Sequence, residues 1–199
     1  MMTTLDIDEK YMKRCLQLAA CGQQNAKPNP MVGAVLVADD RIIGEGYHVR
    51  CGEGHAEVNC FASVKPEDEG LLGRATLYVS LEPCSHYGRT PPCADLIVAK
   101  GVKRVVVGCI DPFARVSGRG IQRLRDAGIE VRVGVLEREC RWLNRRFITM
   151  HTHHRPYIIL KWAQTADGFL DDHYQPTMIS NAMTQMVSRR LRAESDAIL

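Results

Sequence analysis

Three side chains that can bind a metal, with a carboxylate beside them, stand out in the sequence. His55 and Glu57 form a His-Ala-Glu step, Cys84 follows a proline, and Cys93 comes nine residues after Cys84. Catalytic zinc typically has three protein ligands and one open position, and imidazole and thiolate are among its preferred ligands. We therefore expect His55, Cys84 and Cys93 to hold Zn²⁺.

Glu57 is suited to proton transfer at such a metal. A carboxylate two residues from a zinc-binding histidine can reach a water on the metal without ligating the metal itself. It can pass the proton of that water to a ring nitrogen and then to a leaving amine. His-x-Glu with Pro-Cys-x-x-Cys marks zinc nucleobase deaminases. Here eight residues separate the two cysteines instead of two, so the generic motif is matched in part.

Other interpretations stay open at this point. Cys84 and Cys93 could form a structural zinc pair or pack in a core, and His86 is a competing ligand from the same loop. Cys51 falls in a turn, and Cys60 lies on a different helix face from the predicted ligand. We expect both of these cysteines to be packing or surface residues.

Composition limits the class of protein. Of the 199 residues, 45% are hydrophobic and 25% are charged, as in ordinary globular proteins. A net charge of +3 is too small to indicate a nucleic-acid partner, and no apolar run reaches the ~20 residues of a membrane span. The N-terminus lacks the apolar stretch of a signal peptide. We expect a cytoplasmic protein whose eight cysteines do not form disulfides.

Helical and strand patterns alternate along the chain up to about residue 150. Helices are predicted at residues 8–21, 55–64, 93–100, 117–127 and 137–150. Strands are predicted at residues 31–37, 41–47, 75–81, 104–109 and 129–135. This alternation predicts a three-layer α/β/α sandwich around one mostly parallel or mixed sheet.

These elements would position the metal ligands. His55 and Cys93 fall at helix N-termini, where the helix dipole favours a thiolate over a thiol. Cys84 falls at the C-terminal end of a strand, where open α/β sheets place their sites. The last predicted helix carries several arginines, with Trp142 and Phe147 on an apolar face between them. It is expected to pack on the sheet rather than to bind RNA.

The composition changes near residue 150. A polar, kinked connector covers residues 151–156, and a new strand is predicted from Tyr157 to Trp162. We therefore expect one domain at residues 1–150 and the first elements of another at residues 151–199. The second part is too short for an independent core.

Four segments resemble one family, the deaminase half of the bifunctional riboflavin-biosynthesis deaminase/reductase, within the cytidine-deaminase-like superfamily. They are PNPMVGAVLV, GEGHAEVNC, LYVSLEPCSHYGRTPPC and DPFARVSGRGIQRLRDAGIEV, and the resemblance covers about residues 8–148. The ten-residue step from Pro83 to Cys93 is particular to this family, whereas tRNA adenosine and cytosine deaminases are expected to keep Pro-Cys-x-x-Cys. Phe113 departs from the family, which often carries a polar residue there.

The resemblance implies a fold of cytidine-deaminase type and a defined reaction. The 2-amino group of 2,5-diamino-6-(5-phosphoribosylamino)pyrimidin-4(3H)-one would be hydrolysed, giving 5-amino-6-(5-phosphoribosylamino)uracil and ammonia. The family match makes His55, Cys84 and Cys93 the zinc ligands and Glu57 the proton shuttle. It also implies a pyrimidine contact from Asn29 and a set of ribose-phosphate contacts: His48, Arg89, Asp111 and Arg115. The alternatives are a turn-forming asparagine and solvated surface arginines.

The tail is similar to the start of the family's reductase half, which resembles dihydrofolate reductase in fold and uses NADPH. Lys161, Ala163 and Arg192 fall where cofactor and substrate contacts of that half would begin. The stretch at residues 172–179 departs from the family. Most of the reductase is absent, so we expect no reductase activity from this chain alone.

Two further functions stay open on the sequence. One is a deaminase of another base, in tRNA or a free nucleoside, and the other is a noncatalytic, zinc-stabilised binding module. The partner expected from the leading hypothesis is a phosphorylated pyrimidine, without nucleic acid or membrane. Apolar surface on the short second part could also promote self-association.

Overall fold

The computed structural model describes residues 3–87, 91–112, 117–175 and 177–199. The predicted contact residues Arg89 and Arg115, and the departure at Phe113, lie outside these ranges. The chain divides into two compact units, one ending at Tyr157 and one beginning at Ile158.

The described residues form seven α-helices, one 3-10 helix and five strands. The α-helices are α1 (Thr4–Ala20), α2 (Ala56–Ala62), α3 (Cys93–Ala99), α4 (Arg119–Asp126), α5 (Glu137–Leu143), α6 (Arg145–His153) and α7 (Ala182–Glu194). The strands are β1 (Gly33–Ala38), β2 (Arg41–Tyr47), β3 (Thr76–Leu81), β4 (Arg104–Cys109) and β5 (Glu130–Val133). A 3-10 helix at Pro66–Arg74 lies between α2 and β3.

The strands make one mixed sheet in the order β2-β1-β3-β4-β5. β1 pairs antiparallel with both β2 and β3, whereas β3, β4 and β5 run parallel. The parallel strands β3 and β4 therefore end at the same edge of the sheet, and Cys84 follows β3 at that edge.

Two apolar cores lie on opposite faces of the sheet, which confirms the predicted three-layer sandwich. On one face, α2, α3 and α4 contribute Phe61, Ile97 and Leu124 against β1, β3 and β4. On the other face, α1 and α5 contribute Met12 and Cys140. The central strands are buried on both sides, which explains their continuous apolar runs.

Helix α1 begins four residues earlier than its apolar pattern predicts. The Thr3 side chain accepts a hydrogen bond from the Asp6 backbone, and the Asp6 side chain accepts one from the Thr3 backbone. This capping box satisfies backbone N–H groups that otherwise lack partners in the first turn. It therefore extends the helix over residues that contribute no buried apolar side chain.

The single helix predicted at residues 137–150 is two helices that meet at Asn144. Asn144 is buried, its Oδ1 accepts from the Met31 N–H at 2.8 Å, and its Nδ2 donates to the Met31 C=O at 2.8 Å. These two bonds tie the helix break to the segment before β1. Trp142 was expected on the packed face, but it is 62% exposed and lies under the Arg145 guanidinium.

The second unit, residues 158–199, contains α7 and no assigned strand among its described residues. The strand predicted at Tyr157–Trp162 is therefore wrong. A strand requires a neighbour to pair its backbone groups, and no strand of the described chain pairs with this segment. The predicted boundary near residue 150 falls inside α6.

No helix among the described residues has both the length and the apolar character needed to cross a membrane.

Candidate active site

The three predicted metal ligands, His55, Cys84 and Cys93, lie close together in the structure. His55 Nδ1 lies 3.6 Å from Cys84 Sγ and 3.3 Å from Cys93 Sγ. The three donor atoms all lie within 4.8 Å of one another. His86, the competing ligand considered above, is exposed and is not part of this cluster.

The spacing of these donors fits a tetrahedral zinc site. Zn–N bonds of about 2.0–2.1 Å and Zn–S bonds of about 2.3 Å give an N···S edge of about 3.6 Å in a tetrahedron. The observed N···S distances of 3.6 and 3.3 Å are close to that edge. One imidazole and two thiolates leave a fourth position for water, as in catalytic sites.

Each donor is placed by the end of a regular element. His55 is the N-cap of α2, Cys93 is the first residue of α3, and Cys84 follows the end of β3. The Cys93 backbone N–H donates to Cys84 Sγ at 3.2 Å, which holds the β3 end against the start of α3. Because the three positions belong to separate elements, the site forms only when the sheet and its covering helices have assembled.

Hydrogen bonds within the cluster shift the pKa values of the three donor side chains. Hydrogen bonds from Cys93 and His55 lower the pKa of the Cys84 thiol despite its burial. The bond to Cys84 raises the pKa of His55, and the neighbouring Cys84 raises that of Cys93. Cys84 is therefore the donor with the strongest thiolate character.

Glu57 lies in the first turn of α2, two residues after His55, and is 3% exposed. Burial, with the nearby negative charge of Cys84, raises the pKa of this carboxyl to about 7. A carboxyl with such a pKa exchanges protons readily near neutral pH, as a general acid–base group requires.

A cavity of about 280 Å³ opens over this cluster. His55, Glu57 and Cys84 contribute to its wall, as do the predicted substrate-binding residues that the structure describes: Asn29, His48 and Asp111. Cys93 lies behind the wall and is 1% exposed. The cavity is large enough for a small heterocycle and is reached by groups from six elements and loops.

His48 and Asn29 form a fixed pair in this wall. His48 Nδ1 lies 3.1 Å from the Gly54 C=O, which can only accept, so the neutral ring carries its proton on Nδ1. His48 Nε2 then accepts from Asn29 Nδ2 at 3.1 Å. Burial lowers the pKa of His48, which favours this neutral ring. The carbonyl of the Asn29 side chain is consequently on the side of the amide away from His48.

Four polar or aromatic residues in the cavity wall were not among the predicted substrate contacts: Glu82, His86, Phe147 and His151. Phe147 and His151 belong to α6, with ring centroids 4.4 Å apart. The run His151-Thr152-His153-His154 shows in the sequence that this segment is rich in imidazole groups. The sequence does not predict the break at Asn144, after which α6 brings Phe147 and His151 to the cavity wall.

The residues predicted for the reductase fragment lie in the second unit. Lys161 and Arg192 line a shallow depression of about 330 Å³ together with Arg189. Ala163 is half-buried and is not among the residues of this depression.

Comparisons with known proteins agree with this geometry. Residues 5–109 match the family described as the cytidine and deoxycytidylate deaminase zinc-binding region. The riboflavin biosynthesis protein RibD of Aquifex aeolicus is 48% identical over 195 residues, which is 98% of this chain and 54% of the relative. RibD of Escherichia coli is 44% identical over 200 residues, covering 96% of this chain and 52% of the relative.

A solved structure from Thermotoga maritima is also similar. It is a diaminohydroxyphosphoribosylaminopyrimidine deaminase/5-amino-6-(5-phosphoribosylamino)uracil reductase, 44% identical, with a TM-score of 0.87 over 94% of this chain and 54% of that one. The chain thus spans about half the length of these relatives. The family match covers more than half of the chain and includes His55, Cys84 and Cys93. The chain therefore belongs to the family defined by the zinc-binding region of cytidine and deoxycytidylate deaminases.

Proposed function

We propose that this protein is a zinc-dependent pyrimidine deaminase of riboflavin biosynthesis. It would hydrolyse the 2-amino group of 2,5-diamino-6-(5-phosphoribosylamino)pyrimidin-4(3H)-one to give 5-amino-6-(5-phosphoribosylamino)uracil and ammonia. The observation that carries the proposal is the buried carboxyl of Glu57 beside the His55, Cys84 and Cys93 donors at one cavity. The similar Thermotoga maritima protein is a diaminohydroxyphosphoribosylaminopyrimidine deaminase, and this relative is the basis for the choice of substrate.

The three donors would hold the metal, and bound zinc supplies Lewis-acid activation of the attacking water. Both cysteines would bind as thiolates and His55 as a neutral imidazole, and the pKa of the Cys84 thiol is already lowered within the cluster. The N–H of Cys93 keeps this sulfur oriented. His55 binds through Nδ1, the ring nitrogen that faces both sulfurs.

Glu57 would move the protons of the reaction. Its carboxylate removes one proton from the attacking water while the water oxygen bonds to C2. The same carboxyl delivers that proton to a ring nitrogen, and the second proton of the water reaches the departing amine as the C–N bond breaks. A carboxyl with a pKa of about 7 can perform both steps near neutral pH.

The pyrimidine would be oriented by the fixed pair in the cavity wall. His48 holds the Asn29 amide through its Nδ2 atom, so the Asn29 carbonyl is presented to an N–H of the substrate. Asp111, which is 8% exposed and lines the cavity, would contact the ribose. We assign the phosphate to Arg89 and Arg115, since guanidinium groups pair with phosphate in fixed geometries.

We propose that residues 158–199 begin an NADPH-dependent reductase half of dihydrofolate-reductase type. Lys161 and Arg192 line a basic depression that suits an anionic ligand, and Ala163 lies two residues after Lys161 in the sequence. The chain alone is not expected to carry out the reduction. We further propose that it acts in the cytoplasm on a small molecule, without nucleic acid or membrane, where its eight free thiols stay reduced.

Ammonia release from a panel of substrates tests the deaminase proposal. The panel contains the phosphorylated diaminopyrimidine, its dephosphorylated form, cytidine, dCMP and tRNA, each with zinc-loaded protein. We expect turnover of the phosphorylated diaminopyrimidine at a kcat/KM at least about 100-fold above the others. Preference for tRNA or a nucleoside would identify another deaminase, and bound zinc without turnover of any substrate would support a noncatalytic module.

A further inference from the structure

Glu82 has a buried carboxylate that the deaminase mechanism does not use. It follows the last residue of β3, lies two residues before Cys84, and is 4% exposed. A carboxylate removed from water in this way requires several hydrogen-bond donors to compensate its lost hydration. From the part of the chain that the structure describes, Glu82 receives four hydrogen bonds, all from backbone N–H groups.

The two oxygens of Glu82 divide these donors between them. Oε2 accepts from the N–H groups of Asp111 at 3.3 Å and Gly118 at 2.9 Å. Oε1 accepts from those of Gly120 at 2.9 Å and Ile121 at 3.3 Å. Oε2 thus binds Asp111 and Gly118, and Oε1 binds the first turn of α4.

Helix α4 depends on this external carboxylate for its N-terminal cap. Its N-cap residue is Gly118, which has no side chain and makes no side-chain cap bond. The first N–H groups of a helix have no partner within the helix, and a negative charge beside them is stabilised by the helix dipole. Glu82 supplies both the acceptors and the charge from a different element.

The same helix end packs directly on the strand that leads to Cys84. A Cβ atom at Gly120 would overlap the Pro83 carbonyl oxygen, so only glycine permits this approach. Asp111 lines the cavity, and its N–H donates to the same Glu82 carboxylate that holds the start of α4. Glu82 therefore links Asp111 to this helix end.

We propose that Glu82 is a positioning residue for substrate binding, which fixes Asp111 and the start of α4 relative to the catalytic cluster. This inference rests on the proposed function, because it takes Asp111 as a contact of the substrate ribose. Glu82 acts through the backbone of Asp111 and of the first turn of α4 and does not touch the reacting atoms. Its loss should therefore weaken binding of the phosphorylated substrate more than it slows the chemical step.

The test compares Glu82→Gln with the wild-type protein. A glutamine side chain keeps one oxygen and turns an NH₂ group toward two N–H donors, so one of the two pairs of bonds is lost in either orientation. We expect KM for the phosphorylated diaminopyrimidine to rise about tenfold or more, with kcat changed less than about threefold and zinc content unchanged.

Hydrogen exchange of backbone amides provides a readout that is independent of activity. In the wild type, the amides of Gly118, Gly120 and Ile121 should exchange more slowly than amides at a helix start usually do. In Glu82→Gln, the exchange rates of these amides should be at least about tenfold higher. The matched control is Asp68→Asn, which removes another buried carboxylate, one bonded to Arg41. It should leave these amides and KM unchanged.

Several results would overturn the proposal. These are unchanged exchange and KM in Glu82→Gln, loss of zinc with a fall in kcat and no rise in KM, or the same effects in the Asp68 control. If Glu82→Gln fails to fold, Glu82→Asp retains the charge but reaches fewer N–H groups and is judged by the same measurements. An inactive wild-type protein would refute the deaminase proposal, while the exchange experiment still decides whether Glu82 holds the start of α4.

Discussion

Glu57 shows how burial changes what a carboxyl group can do. In water its pKa would be near 4.5, whereas burial and the charge of Cys84 raise the pKa to about 7. The group is then ready both to accept and to give a proton at neutral pH. The nearby exposed Glu53 has the same side chain without this environment.

Glu57→Gln should therefore separate catalysis from metal binding. We expect kcat to fall by about 10²–10⁴, the usual contribution of general acid–base catalysis, while zinc content stays at the wild-type value. Ammonia release and metal analysis on the same preparation measure both effects. Glu53→Gln makes the same chemical change on the surface and should retain full activity, and a Glu57→Gln protein as active as wild type would refute the assigned role.

At the residue scale, the sequence identifies the residues that bind the metal and transfer protons, but it does not identify all the residues that line the cavity. His55, Glu57, Cys84 and Cys93 are recognisable because their residue types and spacing have few uses together. Glu82 gives no comparable signal, since a lone glutamate after a strand is usually solvated. Its four backbone donors come from residues about 30 to 40 positions away, and only the fold brings them to it.

At the scale of elements, strand and helix ends decide where the chemistry occurs. The end of β3 and the starts of α2 and α3 each carry one metal donor. The periodic patterns predict the helices and strands of the sandwich because each element buries one face. They fail where a polar contact overrides periodicity, as at Asn144, whose bonds to Met31 divide one expected helix into two.

A buried ionic cluster joins α1 to side chains from β3, β4 and β5. Asp8 is fully buried and accepts from the guanidinium groups of Arg104 and Arg132 and from the Tyr78 hydroxyl, at 2.8–3.0 Å. Burial tends to raise the pKa of Asp8, but the bonds from Arg104 and Tyr78 outweigh it, so the pKa lies below its ordinary value of 3.8.

Asp8→Asn should therefore have a pH-dependent effect on stability. A carboxylate with a lowered folded-state pKa stabilises the protein above its unfolded pKa and loses that contribution as the pH falls through the folded pKa. Removing one partner of a buried pair costs about 3–5 kcal/mol, and we expect about 2–3 kcal/mol at pH 7 because both arginines are partly exposed.

Denaturant unfolding between pH 7 and pH 2 measures this dependence. The difference in unfolding free energy between wild type and Asp8→Asn should be constant near neutral pH and shrink below pH 3.8. Glu9→Gln, at a half-buried position on α1 whose ion pair with Lys13 is long at 3.9 Å, should change stability by less than about 0.5 kcal/mol. A difference that grows on acidification would contradict the lowered pKa of Asp8.

At the scale of the whole molecule, the two units differ in how much apolar surface they bury. Among the described residues, every buried hydrophobic side chain lies at or before Ile148. The second unit instead exposes large apolar side chains, including Leu160, Trp162 and Met178. The first unit thus has its own core and contains every residue of the cavity over the metal donors.

A protein ending at Tyr157 should therefore keep the deaminase site. We expect zinc content equal to that of the 199-residue chain and kcat/KM for ammonia release within about threefold, because no buried apolar contact of either core is removed. Metal analysis, thermal unfolding and the ammonia assay on both proteins provide the comparison. Loss of zinc or of cooperative unfolding in the shorter protein would show that the second unit is needed for the site.

The most direct test of the central claim is zinc K-edge X-ray absorption on the zinc-loaded protein. Two sulfur ligands at about 2.3 Å and one nitrogen at about 2.0–2.1 Å, completed by one oxygen, are expected for His55, Cys84 and Cys93 with an open position for water. Cys84→Ala should reduce the sulfur count to one. A site with no sulfur, with four sulfurs, or unchanged by Cys84→Ala would contradict the catalytic zinc centre on which the proposed deaminase depends.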